Sequence, residues 1–363
     1  MTDSFSGSYA EARQKFLAAA RSAGARIHSY GRDDLRGKDG EELACDVAVL
    51  GADSAETGAI VISGTHGAEG YCGSAILHRW LTGHAGKAPA DGTKIVLVHA
   101  INPWAFSHKG RTTENNVDLN RNFFPTAAGY ERTNPSYDAL VPFLHFHELS
   151  ASADLANHKA YKNYLDAHGW HIEGEAWAGQ SHRPDGMFYC GRQPEWSNRL
   201  FRRIVQEHLG AADCIGFIDW HTCIGAFGEI VYLVFDDDGT RERIAAMGWW
   251  GLSDRSDAAF KAGSMPKYEG LLCKAIRQEL PGSRIAGAVI EFGTVDDYTL
   301  FRADRLDRWL MNEGRDDPER DLLRETYKDV CCPRDLTWRH MVLAEGPAIM
   351  DRLIEGVRNW NET

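Results

Sequence analysis

Short apolar runs alternate with amphipathic stretches along most of the chain. Apolar runs bounded by glycine or polar residues predict buried strands, and apolar residues three or four positions apart predict helices. The expected strands are 26–30, 44–50, 59–63, 94–100, 214–220, 229–235 and 284–290. The expected helices are 8–23, 70–83, 136–147, 152–167, 194–209, 239–249, 267–279 and 336–357, in a tail that is mainly helical from about 297. The region of about 105–195 is otherwise expected to be rich in loops.

Strands that alternate with helices predict an α/β fold, in which helices cover both faces of a central sheet. The length of 363 residues by itself suggests about two domains. No linker interrupts the pattern, however, so we expect one domain over residues 1–363. In such sheets functional groups collect beyond the strand ends. His66, Asn102, His221 and Glu291 each follow a predicted strand, and we expect them at one edge of the sheet.

The composition is that of a globular protein, with 43% hydrophobic and 25% charged residues. A formal net charge of −12 argues against general binding to nucleic acid or to anionic membranes. No apolar run approaches the ~20 residues that cross a bilayer. The first residues lack the basic start and apolar core of a signal peptide. We therefore expect a cytoplasmic protein without nucleic-acid or membrane partners.

The eight cysteines contain no Cys-x-x-Cys pair. Their spacings indicate neither a zinc ribbon nor a disulfide framework. We expect them to be reduced thiols that are buried or idle.

A candidate metal-binding motif follows the predicted strand 59–63. The segment Gly64–Gly70 holds His66 and Glu69, three residues apart. Imidazole nitrogen and carboxylate oxygen are good zinc ligands, and a catalytic zinc keeps three protein ligands and one open position. The third ligand must come from elsewhere, and His221, at the end of another apolar run, is the best candidate.

Four segments of the chain form one larger pattern. They are His66–Glu69, Ile101–Phe106 continuing through Gly110–Arg111 to Asn116–Phe123, Asp219–Thr222, and Val289–Thr294. In this order and at these spacings they resemble the zinc carboxypeptidase superfamily of the carboxypeptidase A type. Further segments resemble a little-characterised branch of it, a carboxypeptidase-like domain of unknown function. Those segments are Gly179–Gln180, Pro184–Tyr189, Pro194–Asn198 and His221–Gly228.

The resemblance implies a zinc-dependent hydrolase that cleaves an amide bond in a small substrate with a free carboxylate. It implies a mixed, mostly parallel sheet and one Zn²⁺ per chain, held by His66, Glu69 and His221. Glu291 matches the general base of the family, and Arg111 matches the arginine that polarises the reacting carbonyl group. The substrate would be a small peptide or an acylated amino acid.

Substrate contacts are also implied. Asn120 and Arg121 match the pair that grips the terminal carboxylate of the substrate, for which a planar guanidinium is well suited. Tyr268 precedes Glu291 at about the distance of the tyrosine that covers the substrate. Asp118 is expected to orient its loop. Asp219 is expected either to orient His221 from behind or to cap an element.

Two alternatives to a peptidase stay open at this point. The short motif Glu291–Thr294 resembles that of aspartoacylase and succinylglutamate desuccinylase, which implies an N-acyl-amino-acid amidohydrolase. A non-catalytic metal-binding protein with the same fold is the alternative from another class. A nucleotide-binding protein lacks support, because neither glycine-rich phosphate motif is present. His99, His108, His145, His147 and His182 are expected to be ordinary surface or core histidines. His182 lies in the branch motif and is the one of them that could line the pocket, as a weak ligand candidate.

Overall fold

The computed structural model describes residues 2–86, 92–145, 150–252 and 265–360. Within these ranges, seven strands form one sheet. They are β1 (Arg26–Arg36), β2 (Glu42–Leu50), β3 (Thr57–Ile62), β4 (Thr93–His99), β5 (Cys214–Thr222), β6 (Ile230–Leu233) and β7 (Arg284–Phe292). Their order across the sheet is β1-β2-β4-β3-β5-β7-β6.

The helices of the same ranges lie mainly between strands or after the last one. They are α1 (Tyr9–Ser22), α2 (Gly70–Gly83), α3 (Pro103–His108), α4 (Pro135–Leu144), α5 (Ala151–His168), α6 (His171–Trp177), α7 (Trp196–Leu209), α8 (Arg241–Trp250), α9 (Leu272–Glu279), α10 (Asp297–Met311), α11 (Arg320–Cys331) and α12 (Leu336–Asn359). Three short 3-10 turns add Thr2–Ser4, Leu119–Arg121 and Ala127–Tyr130.

The four central strands β4, β3, β5 and β7 pair in parallel, whereas β1, β2 and β6 pair antiparallel at the two edges. Strands buried on both faces are typical of parallel sheets covered by helices. Alternate side chains of β3 accordingly enter two different cores, Ala59 and Val61 one, Ile60 and Ile62 the other. Helices α1, α2, α8 and α12 build the first core, and α7 and α9 contribute to the second. The expected α/β fold with a mixed, centrally parallel sheet is confirmed.

The predicted helix 267–279 is wrong in its first part, because α9 begins only at Leu272. Gly270 has a φ of +70°, and a Cβ there would lie 2.5 Å from the carbonyl oxygen of Arg121. The Gly270 carbonyl accepts a hydrogen bond from the Phe123 amide at 2.9 Å. The segment 265–271 is therefore not helical, and Gly270 lies against the chain at 121–123. This contact joins distant parts of the sequence, so a local periodicity does not contain it.

The expectation that His221 and Glu291 follow their strands is also wrong. Both residues lie inside strands, where they are direct partners across the β5–β7 ladder. The ladder continues past the apolar runs because β6 also pairs with β7 here, with Val231 opposite Glu291.

Smaller differences occur elsewhere. Strand β1 continues to Arg36 instead of ending at 30, and the loop-rich middle region contains the additional helices α3 and α6. The last two residues of the predicted helix 136–147, and with them His147, lie outside the described residues. All eight cysteines are free and buried, as expected. None of the helices in the described ranges is both long and apolar enough to cross a membrane.

Candidate metal centre

Three side chains predicted as ligands meet at one edge of the sheet. His66 and Glu69 lie in the turn between β3 and α2, and His221 lies near the end of β5. One ligand atom from each lies within 4.8 Å of the others, and the three residues are 4%, 2% and 2% exposed. The turn packs tightly against α3, since a Cβ at Gly67 would lie 2.0 Å from the carbonyl carbon of Ala105. Only glycine allows that approach.

The Glu69 carboxylate lies between the two imidazoles. Its Oε1 is 2.8 Å from His66 Nδ1, and its Oε2 is 3.0 Å from His221 Nδ1. The backbone amide of Thr222 donates to the same Oε2 at 3.0 Å. Glu69 and the two Nδ1 atoms thus enclose one small space.

The second ring nitrogen of each histidine faces another carboxylate. His66 Nε2 lies 3.0 Å from Asp118 Oδ1 and forms a hydrogen bond with it. His221 Nε2 lies 3.1 Å from Asp219 Oδ2 without forming a hydrogen bond. Asp219 Oδ1 accepts a hydrogen bond from Thr65 Oγ1 at 2.8 Å, which fixes the carboxylate in place. Asp219 therefore lies behind His221 within β5 and caps no helix.

This donor set fits a divalent metal ion such as zinc. A neutral imidazole that donates its Nε2 proton to a carboxylate has a lone pair at Nδ1. In that tautomer the Nδ1 lone pair of His66 is directed at Glu69 Oε1 and repels it unless a proton or a cation lies between. Two imidazole nitrogens and one carboxylate oxygen, with carboxylates behind the histidines, are a common zinc-binding arrangement.

The electrostatics of the centre also favour positive charge. Burial alone would lower the pKa of His221, but Asp219 and Glu69 raise it well above its ordinary value. Burial would raise the pKa of Glu69, yet His66 and His221 hold it well below its usual range. Burial opposes ionisation of Asp118 in the same way, and Arg111 and His66 hold its pKa well below normal. Buried carboxylates that stay ionised attract a cation to the space they surround.

Glu291 lies beside this centre on β7, directly opposite His221. It is 5% exposed, and the amide of Ile224 donates to its Oε2 at 3.4 Å. Burial raises the pKa of Glu291 to about 8, and the nearby charge of Glu69 adds to the rise although His221 opposes it. A divalent cation bound next to it would lower this value again.

Arg111 also contacts the Glu69 carboxylate. Its Nε and Nη2 donate to Asp118 Oδ2 at 3.2 and 3.0 Å, and its Nη1 donates to Glu69 Oε1 at 3.3 Å. The backbone amide of Arg111 donates to Asp307 Oδ1 at 3.1 Å, which places its loop against α10. These bonds fix the guanidinium at the border of the centre, with 19% of the side chain still exposed.

Asn120 and Arg121 lie next to each other in a 3-10 turn. Asn120 Oδ1 accepts from the amide of Leu272 at 2.9 Å, and its Nδ2 has no hydrogen-bond partner among the described residues. Arg121 donates from Nε to the carbonyl oxygen of Trp177 at 2.9 Å and from Nη1 to that of Asn120 at 3.0 Å. Its guanidinium lies 4.4 Å from the ring centre of Tyr268. Within the described ranges no carboxylate forms an ion pair with this buried cation.

One cavity of about 810 Å³ joins these groups. Its lining includes every residue predicted for the site, namely His66, Glu69, Arg111, Asn120, Arg121, His221, Tyr268 and Glu291. His182 is not part of the lining, because its Nε2 lies 3.0 Å from the Asp138 carboxylate away from the cavity. The volume is that of a small-molecule site, roughly 300–1,000 Å³.

Two features of the site were not predicted from the sequence, the role of Asp118 and part of the cavity lining. Asp118 was expected to orient its loop, but its carboxylate also contacts His66. The Asp-Leu-Asn-Arg-Asn run was the available signal for it, since the acid lies two and three residues before the expected substrate contacts. The lining from α5, α6 and α10 has no motif, and nothing in the local sequence indicated it.

Comparison with solved structures gives low identities over most of the chain. Carboxypeptidase A from Helicoverpa armigera is 12% identical, with 92% of this chain and 76% of that chain covered and a TM-score of 0.49. Bovine thrombin-activatable fibrinolysis inhibitor, solved with tick carboxypeptidase inhibitor, is 13% identical over 97% and 98% of the two chains, with a TM-score of 0.46. The succinylglutamate desuccinylase from Chromobacterium violaceum is 14% identical over 83% and 74%, with a TM-score of 0.36.

Comparison with protein families gives a match over nearly the whole chain. No curated protein matches the sequence. The model of a family described as "Protein of unknown function (DUF2817)" matches residues 5–345. This agrees with the resemblance to a branch of unknown function that the motifs indicated. The chain belongs to the DUF2817 family.

Proposed function

We propose that the protein is a zinc-dependent hydrolase that cleaves an amide bond in a small substrate with a free carboxylate. The main support is the convergence of His66, Glu69 and His221, with Glu291 adjacent to His221 in the sheet register. A zinc ion held by these three ligands would supply a water molecule with a pKa lowered to about 7 and would polarise the carbonyl group.

Glu291 accepts the proton of the attacking water in this mechanism and passes it to the leaving amine. A general base is most effective when its pKa lies near the working pH. Without a metal ion, burial raises the pKa of Glu291 to about 8, and a bound divalent cation would bring it down from this raised value. Its Oε2 is also held by the Ile224 amide, which fixes the carboxylate relative to His221.

Arg111 stabilises the negative charge that develops on the carbonyl oxygen. A fixed cation in a site that excludes water lowers the barrier because it needs no rearrangement during the reaction. The hydrogen bonds to Asp118 and Glu69 hold the guanidinium in place before substrate arrives.

Arg121 and Asn120 bind the free carboxylate of the substrate. Arg121 is buried and has no carboxylate partner among the described residues, and burying an unpaired charge is costly. An anionic ligand relieves that cost. The free Nδ2 of Asn120 can donate to the same carboxylate, and the Tyr268 ring packs on the guanidinium.

Hydrolysis of a free-carboxylate compound by the zinc-loaded protein tests the proposal. We expect the purified protein to cleave at least one member of a panel of dipeptides and N-acyl amino acids, and to prefer it to the matching C-terminal amide. Faster cleavage of N-acyl amino acids than of dipeptides would assign the alternative deacylase activity to the same residues. Absence of hydrolysis by a fully zinc-loaded protein would contradict the proposal and favour a non-catalytic metal-binding protein.

Arg121→Lys is expected to weaken recognition of the substrate carboxylate. Lysine keeps the charge but loses the planar fork that binds a carboxylate with two hydrogen bonds. A charge-assisted pair is worth about 1.5–3 kcal/mol, so kcat/KM on the free-carboxylate compound should fall roughly tenfold to more than a hundredfold. The same ratio measured on the C-terminal amide serves as the control and should change much less. Equal losses on both compounds would mean that Arg121 supports its turn and does not bind substrate.

A further inference from the structure

Helices α5, α6 and α10 line the side of the cavity that the proposed mechanism does not use. The α10 residues in the lining include Asp297, Leu300, Phe301 and Asp304. Their spacing of three, four and seven places them on one face of the helix. The α5 residues His158, Tyr161 and Lys162 have the same kind of spacing, and so do Glu173 and Trp177 of α6 with its N-cap residue Trp170. The lining on this side is therefore built from three helix faces.

Contacts between α5 and α10 hold these two helices together on this side of the cavity. The Phe301 ring packs on Tyr161 and on His158, with ring centres 4.8 and 5.2 Å apart. Arg302 and Arg305 of α10 pair with the buried Asp154 of α5 at 2.9 and 2.8 Å. A cavity of limited volume with such a side fits a short substrate better than a long chain.

Asp304 is a carboxylate in the cavity lining without a partner among the described residues. It lies one turn beyond Phe301 on α10 and is half-buried in the cavity lining. No described residue forms a hydrogen bond or an ion pair with its carboxylate. Burial raises the pKa of Asp304 to about 7, and the charges of Asp307 and Glu69 add to the rise while Arg111 opposes it. A half-buried carboxylate without a partner is suited to a cationic ligand group.

The other charges on this side also favour a cation. Three more carboxylates line it, those of Glu173, Asp296 and Asp297, against one lysine, Lys162. Burial and Lys162 lower the pKa of His158, although Asp297 opposes them, which favours the neutral form of this imidazole. Aromatic rings beside these groups add cation–π attraction for an ammonium group.

We propose that Asp304 determines specificity by binding the free ammonium group of a short substrate whose carboxylate lies at Arg121. The substrate class is then an unblocked dipeptide or a molecule of that size with charges of opposite sign at its two ends. The identity of the cleaved bond and the position of the carboxylate at Arg121 rest on the proposed function, whereas recognition of the ammonium group by Asp304 does not. N-acylated compounds lack this charge and bind more weakly.

The lining around Arg121 guides the choice of a probe. Leu271 precedes the residue whose amide binds Asn120, and Leu233 pairs with Val289 across the β6–β7 ladder. All three side chains are buried and line the cavity. An apolar residue therefore suits the carboxylate end, and alanyl-leucine and N-acetyl-alanyl-leucine form a pair that differs at the amino end.

Binding of the two compounds to zinc-loaded Glu291→Gln protein tests the inference without turnover. Calorimetry is expected to give a Kd for alanyl-leucine roughly ten- to a hundredfold lower than for its N-acetyl form, the usual range for a charge-assisted hydrogen bond. Adding Asp304→Asn should raise the first Kd to the level of the second and leave the second nearly unchanged. Asp304→Glu keeps the charge and should retain part of the preference.

Glu355→Gln is the matched control, because it removes one exposed carboxylate on α12 outside the cavity. It should leave both Kd values as they were. Equal affinities for the two compounds, a preference that survives Asp304→Asn, or no binding of either compound would overturn the inference. A preference that depends on Asp304, in a zinc-loaded wild-type protein that hydrolyses no member of the panel of dipeptides and N-acyl amino acids, would keep the inference and reject the proposed function.

Discussion

Glu291→Gln is expected to lower kcat on a confirmed substrate by about 10²–10⁴-fold, the usual contribution of a positioned general base. Glutamine has nearly the same shape but accepts no proton at neutral pH. Because burial already disfavours the charged form of Glu291, a neutral amide should not disturb the fold. Zinc content, measured by elemental analysis, should stay at about one ion per chain.

Glu195→Gln offers a matched control for this variant. Glu195 is also a buried glutamate whose pKa is raised by burial, but it does not line the cavity. Its substitution should leave kcat unchanged. A Glu291→Gln protein that turns over at the wild-type rate would exclude Glu291 as the base. Loss of zinc together with loss of turnover would show that Glu291 acts through the metal ligands.

The parts of the site that lie within one short segment could be predicted from sequence. His66 and Glu69 are three residues apart in a turn between a buried strand and a helix. Such a turn directs both side chains to the same edge of the sheet. The apolar run before them and the helix after them have strong periodicities, and both elements have nearly the expected bounds. Local pattern and local geometry agree here because few distant contacts are involved.

The register between distant strands could not be predicted in this way. Glu291 lies opposite His221 because β5 pairs with β7, and these strands are separated by β6, α8, α9 and the chain between them. A shift of one residue would direct Glu291 to the other face of the sheet. The resemblance to a known family indicated both residues as functional, but only the structure gives their register.

The segment before α9 shows a second reason why the structure could not be predicted fully from the sequence. Residues 265–271 are not helical, because Gly270 contacts the backbone of Arg121 closely. Tyr268 of the same segment lies over the guanidinium. The apolar pattern of the segment favours a helix, and the tertiary contact overrides it. The lining from α5, α6 and α10 is a similar case, since its residues come together only when the three helices pack.

His66→Ala and His221→Ala are each expected to remove most of the zinc, because two remaining ligands hold the ion far more weakly than three. The fold should survive both changes, since Asp118 keeps its bonds to Arg111 and Asp219 keeps its bond to Thr65. Thermal unfolding of the apo proteins would verify this.

Asp118→Asn should have a smaller effect on the metal. It leaves all three ligands and weakens only the support of His66, so zinc affinity should fall roughly 10–100-fold. His182→Ala serves as the control, because this histidine pairs with Asp138 away from the cavity, and the zinc content of the variant should equal that of the wild type.

Elemental analysis after dialysis, combined with competition against a chelator, ranks the zinc affinities of the variants, and the geometry predicts their order. Zinc is held most weakly without His66 or His221, more tightly in Asp118→Asn, and most tightly in the wild type and His182→Ala. Full retention of zinc by both His66→Ala and His221→Ala would mean that the ion binds elsewhere. The mechanism proposed for Glu291 would then have no metal beside it.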